Sequence, residues 1–516
     1  MPTTLAPEIP IGRTRPAPGD IVAVARGGAR VRLTEGADQA LHAGRKRVLE
    51  LAAGEQPAYG VSTGFGALAT RHIAPELRAR LQRSLIRSHA AGTGPEVEKE
   101  VVRALMLLRL GTLASGGTGA EPATAHALAG LLNAGITPVV HEYGSLGCSG
   151  DLAPLSHVAL ALMGEGEVRD ASGARTGAAE ALAAAGLHPV DLAAKEGLAL
   201  INGTDGMLGM LVLACHDLNT LLRVADITAA MSVEALLGTD RVFAADLQAL
   251  RPHPGQAAAA ANMRALLAGS AIVASHQGPD CARVQDAYSL RCAPQVAGAA
   301  RDTLAHAEAV AERELAAVID NPVVLPDGRV ESNGNFHGAP VGYVLDFLAI
   351  AVADVASIAE RRTDRMLDVA RSHGLPAFLA DDPGVDSGQM IAHYTQAAIV
   401  SELKRLAVPA SVDSIPSSAM QEDHVAMGWS AARKLRRSVD GLTRVLAVEL
   451  LTAARALDLR APLTPAPATA AVRDALRTRV AGPGPDRHLA PEIAETAGLI
   501  ADGTVIAAAE SVTPLG

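Results

Sequence analysis

The sequence predicts a mainly α protein, a bundle of long helices with a loop-rich N-terminal part that carries unusual polar motifs. Three observations predict it. The stretch from Tyr343 to His373 contains neither Gly nor Pro, and Val344, Phe347, Leu348, Ala351, Val355, Ile358 and Ala359 recur at steps of three and four. That is the spacing of one helix face, and such a helix would span roughly 45 Å at ~1.5 Å per residue. The 516 residues are 49% hydrophobic but only 2% aromatic, so the core is built from Ala, Leu and Val, a composition that favours closely packed helices. Neither an internal repeat nor a βαβ alternation is found.

Taken in order, residues 1–20 are rich in Pro and polar groups and read as an extended N-terminal arm. Helices are predicted over 35–53 and 74–91, separated by the turn-rich AYGVSTGFGAL, and over 97–114 and 121–134. The stretch YGSLGCSGDLAPLSH, Tyr143 to His157, interrupts the pattern, and helix resumes near Ala153. Longer helices follow over 207–236, 296–317, 389–407 and 426–458, the last containing Gly441. APLTPAPAT, residues 461–469, breaks the pattern and leads to a C-terminal helical segment. The expected organisation is therefore an arm over 1–20, an N-terminal part over 21–206, a central helical bundle over 207–460 and a C-terminal segment over 461–516.

The net charge of −10, with no long run of Lys or Arg, gives no electrostatic reason to expect nucleic-acid binding. The four cysteines, Cys148, Cys215, Cys281 and Cys292, form no CxxC pair, which argues against a zinc ribbon or a thioredoxin-like site and fits a reducing cytosol. The N-terminal stretch has no apolar core of a secretory signal. No uninterrupted apolar run reaches the ~18 residues of a membrane span. A cytoplasmic protein without a membrane partner is expected. No HExxH or paired-ligand spacing occurs, so no metal is expected and a metal hydrolase is disfavoured.

Several polar stretches do not read as packing: AYGVSTGFG with Tyr59, IRSHAAGTG with Ser88 and His89, the Tyr143–His157 stretch, LINGTDG with Asn202, VQDAYSLRCAPQ and SIPSSAMQEDHVAMG with Glu422. If VQDAYSLR is helical, Gln285, Tyr288 and Arg291 share one side at i, i+3 and i+6. Arg suits a two-point grip on a carboxylate, and a Tyr of lowered pKa can move a proton. Each piece alone has a plainer reading. His89 is a structural histidine, Asn202 a turn, Glu422 surface charge, Phe336 of GNFHG a packing residue and Cys148 a small buried residue. Their joint occurrence in this order shifts the balance.

Together these stretches resemble the aromatic amino acid ammonia-lyase family, from about residue 50 to residue 430, with GSLGCSGDLAPLSH the most specific element. The resemblance implies a fumarase/aspartase-like bundle. It also implies a 4-methylidene-imidazol-5-one formed autocatalytically from Cys148, Ser149 and Gly150, with no added cofactor. In that chemistry the amide nitrogen of Gly150 attacks the carbonyl carbon of Cys148, where a Cβ would obstruct so close an approach. Loss of water closes the ring, and loss of the Ser149 hydroxyl leaves the methylidene. The family usually has Ala where this chain has Cys148, a position that contributes only its carbonyl carbon to the ring.

The resemblance further implies that Tyr59 takes the β-proton of an amino acid substrate while Tyr288 orients it or shuttles protons. Arg291 would hold the substrate carboxylate, Asn202 and Gln285 would hydrogen-bond the ring carbonyl and substrate, and Phe336 would line the pocket. Ser88-His89 followed by QEDH is the pattern of histidine-selective members, whereas tyrosine- and phenylalanine-selective members resemble His-Leu and Phe-Leu at the paired positions. His89 and Glu422 can partner the nitrogens of a buried imidazole, which a Leu could not. The implied reaction is non-oxidative deamination of L-histidine to trans-urocanate and ammonia by a homotetramer whose sites are shared between chains. The rivals are a tyrosine or phenylalanine lyase or aminomutase of the same family, and a non-catalytic structural protein on the same fold.

Overall fold

Long helices dominate the computed structural model, which describes residues 8–13, 16–54, 58–278, 281 and 284–516. Of the expected arm, Glu8–Ile11 (β1) is a strand and helix begins at Pro18, while residues 1–7, 14 and 15 lie outside the described residues. β1 pairs in parallel with Arg30–Leu33 (β2), Glu8 opposite Arg30 and Ile11 opposite Leu33, with the helix Pro18–Ala25 (α1) between them. This small βαβ unit corrects the expectation of none. Each strand has four residues and alternates exposed with buried, too short a run for its period to stand out in sequence.

The described residues of 1–213, 308–346 and 409–433 form one compact unit. Its helices are Glu35–Ala53 (α2), Arg78–His89 (α3), Lys99–Ala114 (α4), Pro122–Asn133 (α5), Leu152–Leu162 (α6), Ala178–Ala184 (α7), Glu196–Ile201 (α8) and the start of Asp205–Ala235 (α9). α2 begins where predicted because the Thr34 side chain accepts from the Ala37 amide at 3.2 Å, an N-cap. α4 is buried along every residue from Val101 to Ala114, Arg103 and Arg109 included, and forms the centre of this unit. α6 resumes helix at Leu152, directly behind the Gly-rich stretch.

The described residues of 214–307, 347–408 and 434–516 form a second compact unit. It takes in most of Ala293–Ala316, Ala339–Leu367 and Gly428–Asp458, together with Met390–Leu406 and three C-terminal helices. Its core holds a buried carboxylate, Glu449, paired with Arg362 and accepting from Thr228 and Ser232 at 2.8 Å each. Burying this ion pair is tolerable because the carboxylate's remaining lone pairs are filled. Two helices, Asp205–Ala235 and Ala339–Leu367, are long and apolar enough to cross a membrane, yet 72% and 61% of their most apolar windows are buried within the protein.

Candidate functional site

The loop from Gly144 to Asp151 joins the short strand His141–Tyr143 to α6. Gly144, Gly147 and Gly150 have φ of +147°, +70° and +80°, which side chains other than hydrogen seldom allow. At Gly150 a Cβ would also collide with the Gly203 carbonyl. The two glycines form a parallel bridge, and the Asp151 amide donates to the Gly203 oxygen at 2.7 Å.

Asp151 anchors the loop. One carboxylate oxygen accepts from the Gly206 and Met207 amides at 2.8 and 2.9 Å, and the other from the Ser145 hydroxyl at 2.8 Å. The first pair caps the N-terminus of α9. Asp151 is fully buried, and burial pushes its carboxyl up to about 7 despite these donors. Two further backbone bonds hold the loop: Gly338 donates to the Gly147 oxygen at 2.9 Å and Met427 to the Leu146 oxygen at 2.8 Å.

Glu422 lies over this loop. Its carboxylate is 3.5 Å from the Cys148 sulfur, 3.2 Å from the Ser149 hydroxyl and 3.0 Å from the Ser417 hydroxyl. An antiparallel bridge between Ser417 and Glu422 fixes that arm, and the turn between them holds Ser418, Ala419 and Met420 all at positive φ. Burial, reinforced by the Glu422 charge, pushes the Cys148 thiol up to about 11. His89 is half-buried; burial lowers its pKa, while hydrogen bonding at Leu85 and the Glu422 charge oppose that. Ser88 donates to the Leu85 oxygen at 3.0 Å and lies 3.0 Å from His89 Nδ1.

Other expected residues of this unit are placed as follows. The Tyr59 hydroxyl accepts from the Gly66 amide at 3.1 Å, with Phe65 edge-on at 6.4 Å. Asn202 ends α8 and is 4% exposed, and its side-chain oxygen has no hydrogen-bond partner. Phe336 is half-buried, two residues before the Gly338 that bonds the loop.

Gln285, Tyr288 and Arg291 belong to the second unit, and there the expected helix face does not form. Helix covers only Tyr288–Arg291, preceded by Ala287 in extended conformation, so Gln285 is not on it. The cause is Asp286, which is buried and accepts from the Thr239 amide at 2.7 Å, tying the chain down one turn too early. Tyr288 is 72% exposed. Arg291 lies 4.7 Å over its ring and donates to the Asp286 carbonyl at 2.9 Å, a cation–π pair that holds the guanidinium outside a helical ladder.

Residues 17–478 match the aromatic amino acid lyase family. The chain belongs to this family. The lyase is 69% identical over 504 residues to histidine ammonia-lyase from Streptomyces coelicolor, with 98% of each chain covered. To histidine ammonia-lyase from Gloeobacter violaceus it is 48% identical over 493 residues, with 95% of each covered. Among solved structures, tyrosine aminomutase from Streptomyces globisporus has a TM-score of 0.93 at 37% identity, covering 99% of both chains. Histidine ammonia-lyase from Trypanosoma cruzi has a TM-score of 0.90 at 36% identity, covering 98% of this chain and 96% of that one. The fold is therefore that of the aromatic amino acid lyases, and the enzyme is a carbon–nitrogen lyase.

Sequence reasoning assigned no role to Ser145, Asp151 and Gly203, which hold the lyase's loop in place, or to Ser417, which holds Glu422. The signal of Asp151 is weak in sequence, because a carboxylate before a helix reads as an ordinary cap. Among the described residues no group of three or more His, Cys, Asp or Glu side chains is placed to hold a metal ion.

Proposed function

We propose that this enzyme removes ammonia from L-histidine to give trans-urocanate, using a methylidene-imidazolone made from Cys148, Ser149 and Gly150. The single observation that carries the reading is the position of Glu422, which reaches Ser149 and Cys148 and whose charge acts on His89. The residues present fit the group. Gly150 closes against the Gly203 backbone where a Cβ would collide. Once formed, the group supplies an electrophile that draws electron density from the substrate so that ammonia can leave.

The chain's own residues do the rest. Tyr59 takes the β-proton, and Arg291 grips the carboxylate through its planar fork. Gln285 and Asn202 donate hydrogen bonds to oxygen atoms of the site. Tyr288 orients the substrate, and Phe336 forms an apolar wall. His89 and Glu422 partner the two imidazole nitrogens, so that substrates lacking them leave buried polar groups unpaired. We assign Gln285, Tyr288 and Arg291 to a site shared between copies in a homotetramer, and the outward exposure of Gln285 and Tyr288 supports this. We propose a cytoplasmic location, which four cysteines without a CxxC pair in so long a chain support.

A panel of histidine, tyrosine and phenylalanine, read by the ultraviolet absorbance of the conjugated acid and by chromatography for β-amino acids, tests this. Histidine is expected to be turned over and the others scarcely. A preference for tyrosine, or a β-amino acid product, would replace the substrate or the reaction while leaving the family intact.

A further inference from the structure

Beneath the cofactor-forming loop lies a buried ion pair that the proposed chemistry does not use. Arg109, in the middle of α4, is 0% exposed, and Asp205, the first residue of α9, is 1% exposed. One guanidinium nitrogen pairs with the Asp205 carboxylate, and another donates to the Ala199 carbonyl of α8 at 3.2 Å. The guanidinium thus brackets residues 200–204, holding the last turn of α8 and the first residue of α9 at once. Thr112, one turn along α4, places its hydroxyl 3.5 Å from the other Asp205 oxygen.

Gly203 sits inside that bracket. A Cβ there would collide with Arg109 and come within 2.7 Å of the Asp205 carboxylate. The carbonyl of the same Gly203 receives the Asp151 amide and abuts Gly150. The contacts run in one line from α4 through Arg109 and Asp205 to Gly203, and from Gly203 to Gly150. The negative Asp205 also raises the carboxyl of Asp151, the loop's anchor.

We propose that Arg109 and Asp205 are positioning residues for cofactor formation: they press the Gly203 backbone against Gly150 and so hold the Gly150 nitrogen for attack on the Cys148 carbonyl. This rests on the cofactor reading above. The attack forms the bond between the Gly150 nitrogen and the Cys148 carbonyl carbon. The Cys148 oxygen leaves as water with the amide protons of Gly150 and Ser149. The second water takes the Ser149 hydroxyl and its α-proton, leaving the methylidene. Every atom comes from the chain, and no oxidant is needed. Fixed geometry matters because the backbone amide is a poor nucleophile and gains its rate from proximity.

The test reads cofactor formation by mass rather than by turnover. Wild type, Asp205→Asn and the double variant Arg109→Gln/Asp205→Asn are sampled at intervals after a pulse of synthesis. The folded fraction is isolated by size and circular dichroism, and its intact mass is measured. Wild type should be two waters lighter than its sequence. The folded variants should lose the two waters at least tenfold more slowly, with the unprocessed mass persisting in protein that melts cooperatively. The double variant leaves no buried charge without its partner, so it guards against simple misfolding of the single one. Processing at the wild-type rate in folded variants overturns the proposal, and so does failure of both variants to fold, which assigns the pair to stability alone. A wild type with unmodified mass would instead sink the cofactor reading.

Discussion

The Gly144–Asp151 loop and the Val284–Arg291 segment both set polar groups outside regular helix, yet the first is enclosed and the second is open. Asp151 is fully buried and bonded by three donors, and Glu422 closes over Cys148 and Ser149. In the segment only Asp286, Ser289 and Leu290 are buried, while Val284 is 97% and Tyr288 72% exposed. The loop is thus held by contacts within its own unit, which fix its backbone. The segment leaves the Tyr288 phenol exposed, with the half-buried Arg291 guanidinium packed over its ring, and in the proposed reading both groups act with another copy of the chain. A group that must react with its own neighbours profits from enclosure, and one that must meet a ligand profits from access.

The sharpest way to break the comparison is Ser149→Ala. The methyl group fits the enclosed loop, so melting should be nearly unchanged, while turnover should fall on the order of 10³-fold or more, as when a group carrying the chemical step is removed. Steady-state kinetics beside a melting curve checks both. Near-normal turnover would make the loop structural.

Arg291→Lys probes the open segment. It keeps the charge but loses the planar fork, and a charge-assisted contact of this kind contributes roughly 1.5–3 kcal/mol. A drop in kcat/KM of roughly tenfold to a hundredfold is expected, with little change in melting because the Tyr288 ring that Arg291 packs over is itself exposed. Unchanged kinetics would remove Arg291 from the site.

His89→Leu sharpens the comparison on the enclosed side. Loss of one polar partner, at roughly 1–3 kcal/mol, should lower kcat/KM for histidine by about tenfold to a hundredfold relative to phenylalanine. The ratio of the two substrates' kcat/KM in wild type and variant is the measurement. A ratio that does not move would return His89 to a structural role beside Ser88 and Leu85.

The two regions also differ in how much of them the sequence discloses. The loop is legible because Gly-Cys-Ser-Gly-Asp is contiguous and each residue type answers a local demand, as Gly150 does against Gly203. The segment misleads because its geometry is set by Asp286 reaching Thr239, a contact 47 residues apart that no helical period records. The same contrast holds in the fold. α2 matches its predicted span because Thr34 caps it locally. The long helix predicted from Tyr343 to His373 runs instead over Ala339–Leu367. Its first turn accommodates Pro340 and Gly342, and Asp368 turns the chain by accepting the Ala370 amide at 2.9 Å.

Cys148→Ala should have the smallest effect, and its smallness is informative. The thiol is 6% exposed and lies 3.5 Å from the Glu422 carboxylate. Burial and that charge push its pKa up to about 11, so at neutral pH it is a protonated, weakly donating group rather than a thiolate. A neutral thiol is a poor nucleophile toward the proposed electrophile, and its weak donation to Glu422 contributes at the low end of about 0.5–1.5 kcal/mol. In the proposed ring, residue 148 would contribute its carbonyl carbon, with its side chain left outside. Cys148→Ala is therefore expected to lose the same two waters and to keep kcat/KM within about threefold. Raising the pH toward 11 should separate the two proteins: wild type gains a thiolate beside the electrophile and loses activity irreversibly, while the alanine variant lacks that route. Intact mass and residual activity after alkaline incubation measure both. A large loss in Cys148→Ala at neutral pH would mean that the thiol itself, and not only the backbone of the enclosed loop, takes part in catalysis.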